Sequence, residues 1–271
     1  LVAAMHTKPA LLVLLLINLS LLPVELPAQG EAQSIELASG DSMDLRVFPA
    51  AKSRDILLWF PCDQGMGTAE VDFANELAAI GQEVWLADLL GMYFLPVAPS
   101  SMRTIKGNEV LETVEMLQRD DGRRVYLVSA GFGSIPVLRG AHLWKKKYAG
   151  TESEDYIAGI ILLYPELHAQ EPKPGHELDY LPVVSNTSTP VMIMQPQLTP
   201  ARFWLHRLTA LLESGGASVQ TEILPGVRGY FFVKQSSTPT EDAMTLKLPS
   251  LVLKARDRLA ALQHNRPQGA E

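Results

Sequence analysis

Cysteine and charge are both scarce in this chain of 271 residues. Cys62 is its single cysteine, which excludes an intramolecular disulfide. Charged side chains make up 20% of the residues and the net charge is −7, so the basic excess expected of a nucleic-acid-binding protein is missing. Apolar residues nonetheless make up 47% of the sequence, which is enough for a large core. We therefore expect one globular domain that does not bind nucleic acid.

A hydrophobic run long enough to span a bilayer is also missing. The apolar stretch over residues 10–22 is shorter than the ~20 residues that a transmembrane helix needs. It follows a weakly basic start, which is typical of a secretory signal peptide. Small residues at Gly30 and Ala32 predict cleavage after Ala32, with cleavage after Ala28 as the alternative. We expect residues 1–32 to be a leader, and the mature protein to be periplasmic or secreted, with no stable membrane anchor.

The remaining sequence alternates between two kinds of segment. Alternating apolar and polar residues on both sides of SGDS predict a β-hairpin. Short apolar runs then predict six strands: DILLWFP, EVWLADL, RRVYLVSA, YIAGIILLYP, TPVMIMQP and SVQTEILP. Amphipathic segments between and after them predict five helices: TAEVDFANELAAIG, NEVLETVEMLQRD, IPVLRGAHLWKKKY, ARFWLHRLTALLESGG and LPSLVLKARDRLAALQ. This order indicates an α/β fold over residues 33–263, in which helices cover both faces of a mostly parallel sheet and a disordered tail follows at 264–271.

One glycine-rich turn has the sequence SAGFG, residues 129–133, between a predicted strand and a predicted helix. It resembles the G-x-S-x-G nucleophile elbow of the α/β-hydrolase family, with Gly131 in the nucleophile's place. The resemblance extends over roughly Ile35 to Leu262 and implies an α/β-hydrolase-like fold. Small residues suit the strained elbow, but a glycine at its apex supplies no nucleophile.

The other two members of the family's triad are also replaced in this alignment. QPQLTP follows the strand TPVMIMQP and puts Thr199 near the acid's place, whereas ILPGVRGYFF puts Gly229 in the histidine's place. Together with Gly131, these replacements imply a pseudoenzyme that has lost the Ser-Asp-His triad. An alignment displaced by one residue would instead put Arg228 or Tyr230 in the histidine's place.

A relocated nucleophile is the alternative to a lost one. Cys62 follows a predicted strand, Ser129 lies two residues before the apex, and His176 on a loop after a strand is the candidate base. Each has a structural interpretation as well. Cys62 would be a small buried hydrophobe, Ser129 a packing residue bonded to backbone, and His176, like His168, a solvated loop residue.

Several residues are expected to surround the former active site and to contact a ligand there, namely Gly65, Phe132, Tyr93 and Tyr230, with Asp63 near the same edge. No metal-ligand spacing is present, and a lone G-F-G is weak evidence for a dinucleotide, so we expect neither metal nor cofactor. Three functions remain open: a binding or assembly factor with an unknown protein partner, an esterase-type hydrolase with a relocated nucleophile, and a carrier of a small apolar ligand.

Overall fold

The computed structural model describes residues 30–118, 121–170 and 176–264. Most of the predicted leader and nearly all of the predicted tail lie outside these ranges. In the described part of the chain, no helix combines the length and the apolar character needed to cross a membrane.

One sheet contains eight strands: β1 Glu31–Glu36, β2 Ser42–Phe48, β3 Ile56–Phe60, β4 Glu83–Ala87, β5 Val125–Ala130, β6 Ile157–Leu163, β7 Val191–Pro196 and β8 Val219–Leu224. Their order across the sheet is β1-β2-β4-β3-β5-β6-β7-β8. β1 pairs antiparallel with β2, β2 pairs antiparallel with β4, and the remaining pairs are parallel. The predicted N-terminal hairpin and the mostly parallel sheet are therefore confirmed.

Helices cover both faces of this sheet, as the sequence predicts. They are α1 Thr68–Ala79, α2 Leu89–Met92, α3 Pro99–Thr104, α4 Asn108–Leu117, α5 Ser134–Lys147, α6 Leu205–Ser214 and α7 Pro239–His264. Apolar residues of α4, α5 and α6 join the core on one face, whereas those of α1 and α7 join the core on the other. Every residue of β3, β5, β6 and β7 is buried. This burial explains why these strands have continuous apolar sequences.

Two helix boundaries differ from the sequence-based expectation. α7 begins at Pro239 rather than near Leu248 and contains Pro249 in its interior. The Thr238 carbonyl accepts a 2.9 Å hydrogen bond from the Asp242 amide, and the helix therefore begins earlier than the predicted segment LPSLVLKARDRLAALQ. Residues 201–204, predicted as part of α6, belong instead to a 3-10 turn over Pro200–Trp204.

The parallel strands all point their carboxyl ends to one edge of the sheet. The loops that carry Cys62, Gly131, Thr199 and Gly229 follow β3, β5, β7 and β8, so all four leave the sheet at this edge. Ligands of open α/β sheets bind beyond the carboxyl ends of the strands. We call this the carboxyl edge, and the candidate site lies there.

Candidate functional site

Gly131 occupies a sharp turn between β5 and α5. Its φ of +52° is in the left-handed region, which side chains other than glycine rarely adopt. A Cβ added to Gly133 would lie 2.3 Å from the carbonyl oxygen of Pro61 and 2.6 Å from Ser129 Oγ. The backbones after β3 and β5 thus approach so closely that only glycine fits at position 133. This is the strand-turn-helix geometry of a nucleophile elbow.

The space in front of Gly131 is filled by a tyrosine and a carboxylate. A Cβ added to Gly131 would lie 2.6 Å from Tyr230 Oη and 3.1 Å from Asp63 Oδ1. Tyr230 Oη also donates a 2.7 Å hydrogen bond to Asp63 Oδ1. The side chain of a nucleophile at position 131 would have to enter the volume that the Tyr230 phenol now occupies.

The loop that carries Tyr230 is fixed at several points. Tyr230 has a φ of +60°, a left-handed conformation that costs of order 1–3 kcal/mol for a residue other than glycine. Its ring lies 4.9 Å from the ring of Tyr164, centroid to centroid. Two residues earlier, the Arg228 guanidinium donates hydrogen bonds of 2.7 Å and 2.6 Å to the buried carboxylate of Glu241 on α7. These contacts hold the phenol against Gly131.

Thr199 and Gly229 are neighbours in space. A Cβ added to Gly229 would lie 3.4 Å from Thr199 Cγ2. Thr199 Oγ1 donates a 3.0 Å hydrogen bond to the Pro196 carbonyl and accepts a 2.7 Å bond from Gln195 Nε2. The structure therefore brings together the two positions that the alignment assigns to the acid and the histidine, and neither carries an ionisable group.

The two candidate relocated nucleophiles are enclosed. Cys62 is 1% exposed, and burial raises its thiol pKa to about 12. Ser129 is 0% exposed, and its Oγ donates a 2.8 Å hydrogen bond to the Phe60 carbonyl. Among the described residues, neither side chain has a histidine as hydrogen-bond partner. Cys62 therefore fits the structural interpretation as a small buried hydrophobe, and Ser129 fits that of a packing residue that is hydrogen-bonded to backbone.

The histidine nearest the elbow differs from the expected one. His176, the candidate base, is exposed. His168, which the sequence suggests is solvated, is instead buried, and that expectation is wrong. An isolated bridge to Tyr180 draws its loop onto the protein, where its ring lies 5.2 Å from that of Phe132 and its Nδ1 lies 3.2 Å from a carboxylate oxygen of Glu166. This pairing between two loop segments leaves no local sequence pattern.

The four predicted ligand contacts do not all face the same space. Tyr230 and Phe132 adjoin Gly131, and Phe132 is buried with the Arg103 guanidinium 4.7 Å from its ring centroid. Gly65, at φ +77°, faces other side chains, since a Cβ added to it would lie 3.8 Å from Leu90 Cδ1 and 3.8 Å from Val97 Cγ2. Tyr93 instead hydrogen-bonds Glu109 of α4 and lines a separate cleft with Lys106. Ligand contact by these residues stays a prediction.

Several buried or partly buried side chains near the elbow have raised pKa values. Burial raises the pKa of Glu70, whose Oε2 accepts a 3.0 Å hydrogen bond from the Gly67 amide. Burial is the main reason why the pKa of Tyr230 lies far above its ordinary value, and the nearby Asp63 carboxylate is the second. Tyr164 is fully enclosed, burial raises its pKa, and its hydroxyl has no hydrogen-bond partner in the described structure. The raised pKa values favour the protonated forms of Tyr164, Tyr230 and Cys62 at neutral pH. Sequence patterns did not single out Glu70 or Tyr164.

No group of three or more potential ligand residues that could hold a metal ion occurs within the described ranges. The chain matches no protein-family model and no curated protein.

Solved structures of esterases share the fold. A fungal esterase from Rhizomucor miehei is 12% identical, with a TM-score of 0.60, and the match covers 84% of this chain and 83% of that one. A thermostable esterase from Pseudomonas putida is 16% identical, with a TM-score of 0.57, over 79% of each chain. Esterase 2 from Thermogutta terrifontis, in a form phosphoramylated by tabun, is 12% identical, with a TM-score of 0.55, over 89% of this chain and 98% of that one. At such identities the likeness shows the fold alone: the chain has an α/β-hydrolase fold.

Proposed function

We propose that this protein is an exported binding or assembly factor with an α/β-hydrolase fold and without serine-hydrolase chemistry. One observation carries the proposal. The Tyr230 hydroxyl lies 2.6 Å from the point where a Cβ at position 131 would be. The place of the nucleophile is therefore occupied by a phenol that is hydrogen-bonded to Asp63.

The chemistry of the surrounding groups supports this proposal. Acyl transfer needs a nucleophile, a base that removes its proton, and an acid that orients the base. Gly131 carries no side chain, and the adjacent pair at positions 199 and 229 is threonine and glycine. Backbone amides of the turn can donate hydrogen bonds to a substrate's carbonyl oxygen, but without a nucleophile they only bind it.

A binding role is supported by apolar side chains exposed near the carboxyl edge. Phe94 is 95% exposed and has a left-handed backbone with φ of +50°. Val97 lies on the same loop, and Leu198 and Phe203, which follow β7, are also exposed. Contiguous exposed apolar patches mark protein–protein contact sites, and Phe94 and Val97 lie three residues apart on one loop. We expect them to contact the partner beside the filled elbow.

The esterases with the same fold supply the rival hypothesis, an esterase-type hydrolase that uses Cys62 or Ser129. A fluorophosphonate probe and iodoacetamide distinguish the two. The wild-type protein, Cys62→Ala and Ser129→Ala should all give only background labelling under native conditions, because both side chains are enclosed and lack a histidine partner. Labelling that one of these substitutions abolishes would contradict the proposal and identify the nucleophile.

Crosslinking in the exporting compartment tests the binding role. Phe94→Ser should abolish a specific crosslinked partner, whereas Ile80→Ser should retain it. Ile80 is a matched control because it is also exposed, at 51%, and lies just before β4 at the opposite edge of the sheet. If both variants lost the crosslinked partner equally, or if both retained it, the assigned surface would be contradicted. A co-purified apolar ligand in native mass spectrometry would favour the carrier hypothesis instead.

A further inference from the structure

A basic cleft lies beside the elbow, on the face of the sheet covered by α3 and α5. It has a volume of about 440 Å³ and is bounded by α3, α5 and the 3-10 turn at Val184–Asn186. Its basic lining residues are Arg103, Lys106, Arg139 and His142, and none of the described carboxylates lines it. In a chain with a net charge of −7, such a concentration of positive charge focuses the field on small anions.

Arg103 has unsatisfied donors in this cleft. Its Nε and Nη2 are buried, and neither has a hydrogen-bond partner in the described structure. One face of the guanidinium is covered by the Phe132 ring, whose centroid is 4.7 Å away. Buried donors without a partner are costly, and they are rare in native proteins unless an unseen ligand or water binds them. The Nε and Nη2 donors of Arg103 therefore point to a ligand that supplies hydrogen-bond acceptors.

Arg139 adds a second uncompensated charge. Its Nη1 donates a 2.8 Å hydrogen bond to the Arg103 carbonyl and another to the Ile105 carbonyl, which fixes the end of α3 against α5. Burial lowers the pKa of Arg139. Other arginines of the protein form ion pairs with carboxylates, namely Arg123, Arg228, Arg256 and Arg258. Within the described ranges, neither Arg103 nor Arg139 has such a partner.

We propose that this cleft binds a small molecule through a phosphate group. A phosphate carries about two negative charges and several acceptor oxygens, which matches two guanidinium groups and the Lys106 ammonium better than a carboxylate does. His142 belongs to the same wall, where its Nδ1 lies 2.8 Å from the Asn186 carbonyl oxygen. The inference goes beyond the proposed function, since it assigns a ligand to a second place on the molecule. Phosphate binding in this cleft does not depend on whether the protein hydrolyses esters.

Thermal unfolding of the purified exported protein in inorganic phosphate tests whether this cleft binds phosphate. The wild-type protein is compared with Arg103→Gln and Lys106→Gln, in phosphate and in acetate, with the ionic strength kept constant by chloride. Phosphate at ten times its dissociation constant should raise the midpoint of unfolding of the wild-type protein by about 3–5 °C. Both variants should lose this rise. Because Lys106 is exposed, its substitution reports on the cleft even if Arg103→Gln folds poorly.

Arg202→Gln is the matched control. The Arg202 guanidinium also lies 4.7 Å from a phenylalanine ring centroid, that of Phe203, but Arg202 is exposed and lies outside the cleft. This variant should keep the full rise in phosphate. Phosphate also stabilises folded proteins generally by exclusion from their surface, so an equal rise in all four proteins would overturn the proposal. A larger rise in acetate than in phosphate, lost in the cleft variants, would overturn the assignment of phosphate.

Discussion

A methyl group placed on Gly131 should destabilise the fold mainly through its collision with Tyr230. The left-handed backbone at φ +52° costs alanine roughly 1–2 kcal/mol. The added Cβ would also lie 2.6 Å from Tyr230 Oη, an overpacking contact that costs about 1–3 kcal/mol. Gly131→Ala should therefore lower the free energy of unfolding by about 2–5 kcal/mol, as measured by urea denaturation.

A double-mutant cycle separates these two costs. In a Tyr230→Phe background the hydroxyl is gone, and the nearest ring atom would be Cζ, at 3.0 Å from the added Cβ. Gly131→Ala should then cost less than in the wild-type background, because Cζ at 3.0 Å and Asp63 Oδ1 at 3.1 Å crowd the added Cβ less than the hydroxyl does at 2.6 Å. The expected coupling between the two positions is about 0.5–3 kcal/mol. Gly150→Ala is the control for strain, because Gly150 has a φ of +73° and no atom within 4 Å of an added Cβ. Additive effects of Gly131→Ala and Tyr230→Phe would refute the claim that the phenol fills the nucleophile's place.

Three further predictions concern the groups around the site and the start of the fold. Glu241→Gln should lower the free energy of unfolding by about 1–3 kcal/mol at pH 7, because Glu241 accepts two bonds from the half-exposed Arg228 guanidinium. Since the Arg228 hydrogen bonds hold the pKa of Glu241 well below its ordinary value, this contribution is present above about pH 4.5 and is lost as the pH falls. The difference between the wild type and the variant should therefore shrink in denaturation at pH 3, and a constant difference would contradict the ion pair. Because burial raises the pKa of Cys62 from 9.0 to about 12, the stability that its protonated thiol contributes is present below about pH 9.0 and is lost as the pH rises above it. The wild type should therefore lose stability relative to Cys62→Ala by up to ~1.4 kcal/mol per pH unit above about pH 9.0, and parallel curves would contradict the raised pKa. Finally, we propose that a cleaved leader ends at Ala28, because Ala32 pairs with Arg46 in β1 and Gly30 lies against the Phe48 ring. Mass spectrometry of the exported protein should give Gln29 as its first residue, and a start at Gln33 would contradict this.

The fold was predictable from the sequence because its signals are local. Buried parallel strands such as β3 and β6 are continuous apolar runs, and each is bounded by turn residues. The helices between strands show apolar residues at helical spacing, for example in α4. The predicted helix at the C-terminal end of the chain, LPSLVLKARDRLAALQ, is too short because α7 continues through Pro249, and proline is rare inside a helix.

The site was only partly predictable, because its contacts join distant parts of the chain. The elbow glycines follow a strand directly, so Gly131 and Gly133 could be located from their spacing. The bond between Asp63 and Tyr230 spans 167 residues and has no local pattern. The burial of His168 depends on a bridge to Tyr180, and the stacking of Arg103 depends on Phe132 in another element. Such contacts follow from the packing of loops, which residue periodicity does not encode.

Hydrolysis of short and medium acyl p-nitrophenyl esters tests the loss of catalysis most directly. The purified protein from residue 29 onward is assayed beside Cys62→Ala and Ser129→Ala, whose side chains are the candidate relocated nucleophiles. We expect turnover at background level in all three proteins, because the elbow holds Gly131 and the Tyr230 phenol. A specific rate in the wild-type protein that one of the two substitutions abolishes would contradict the loss of catalysis.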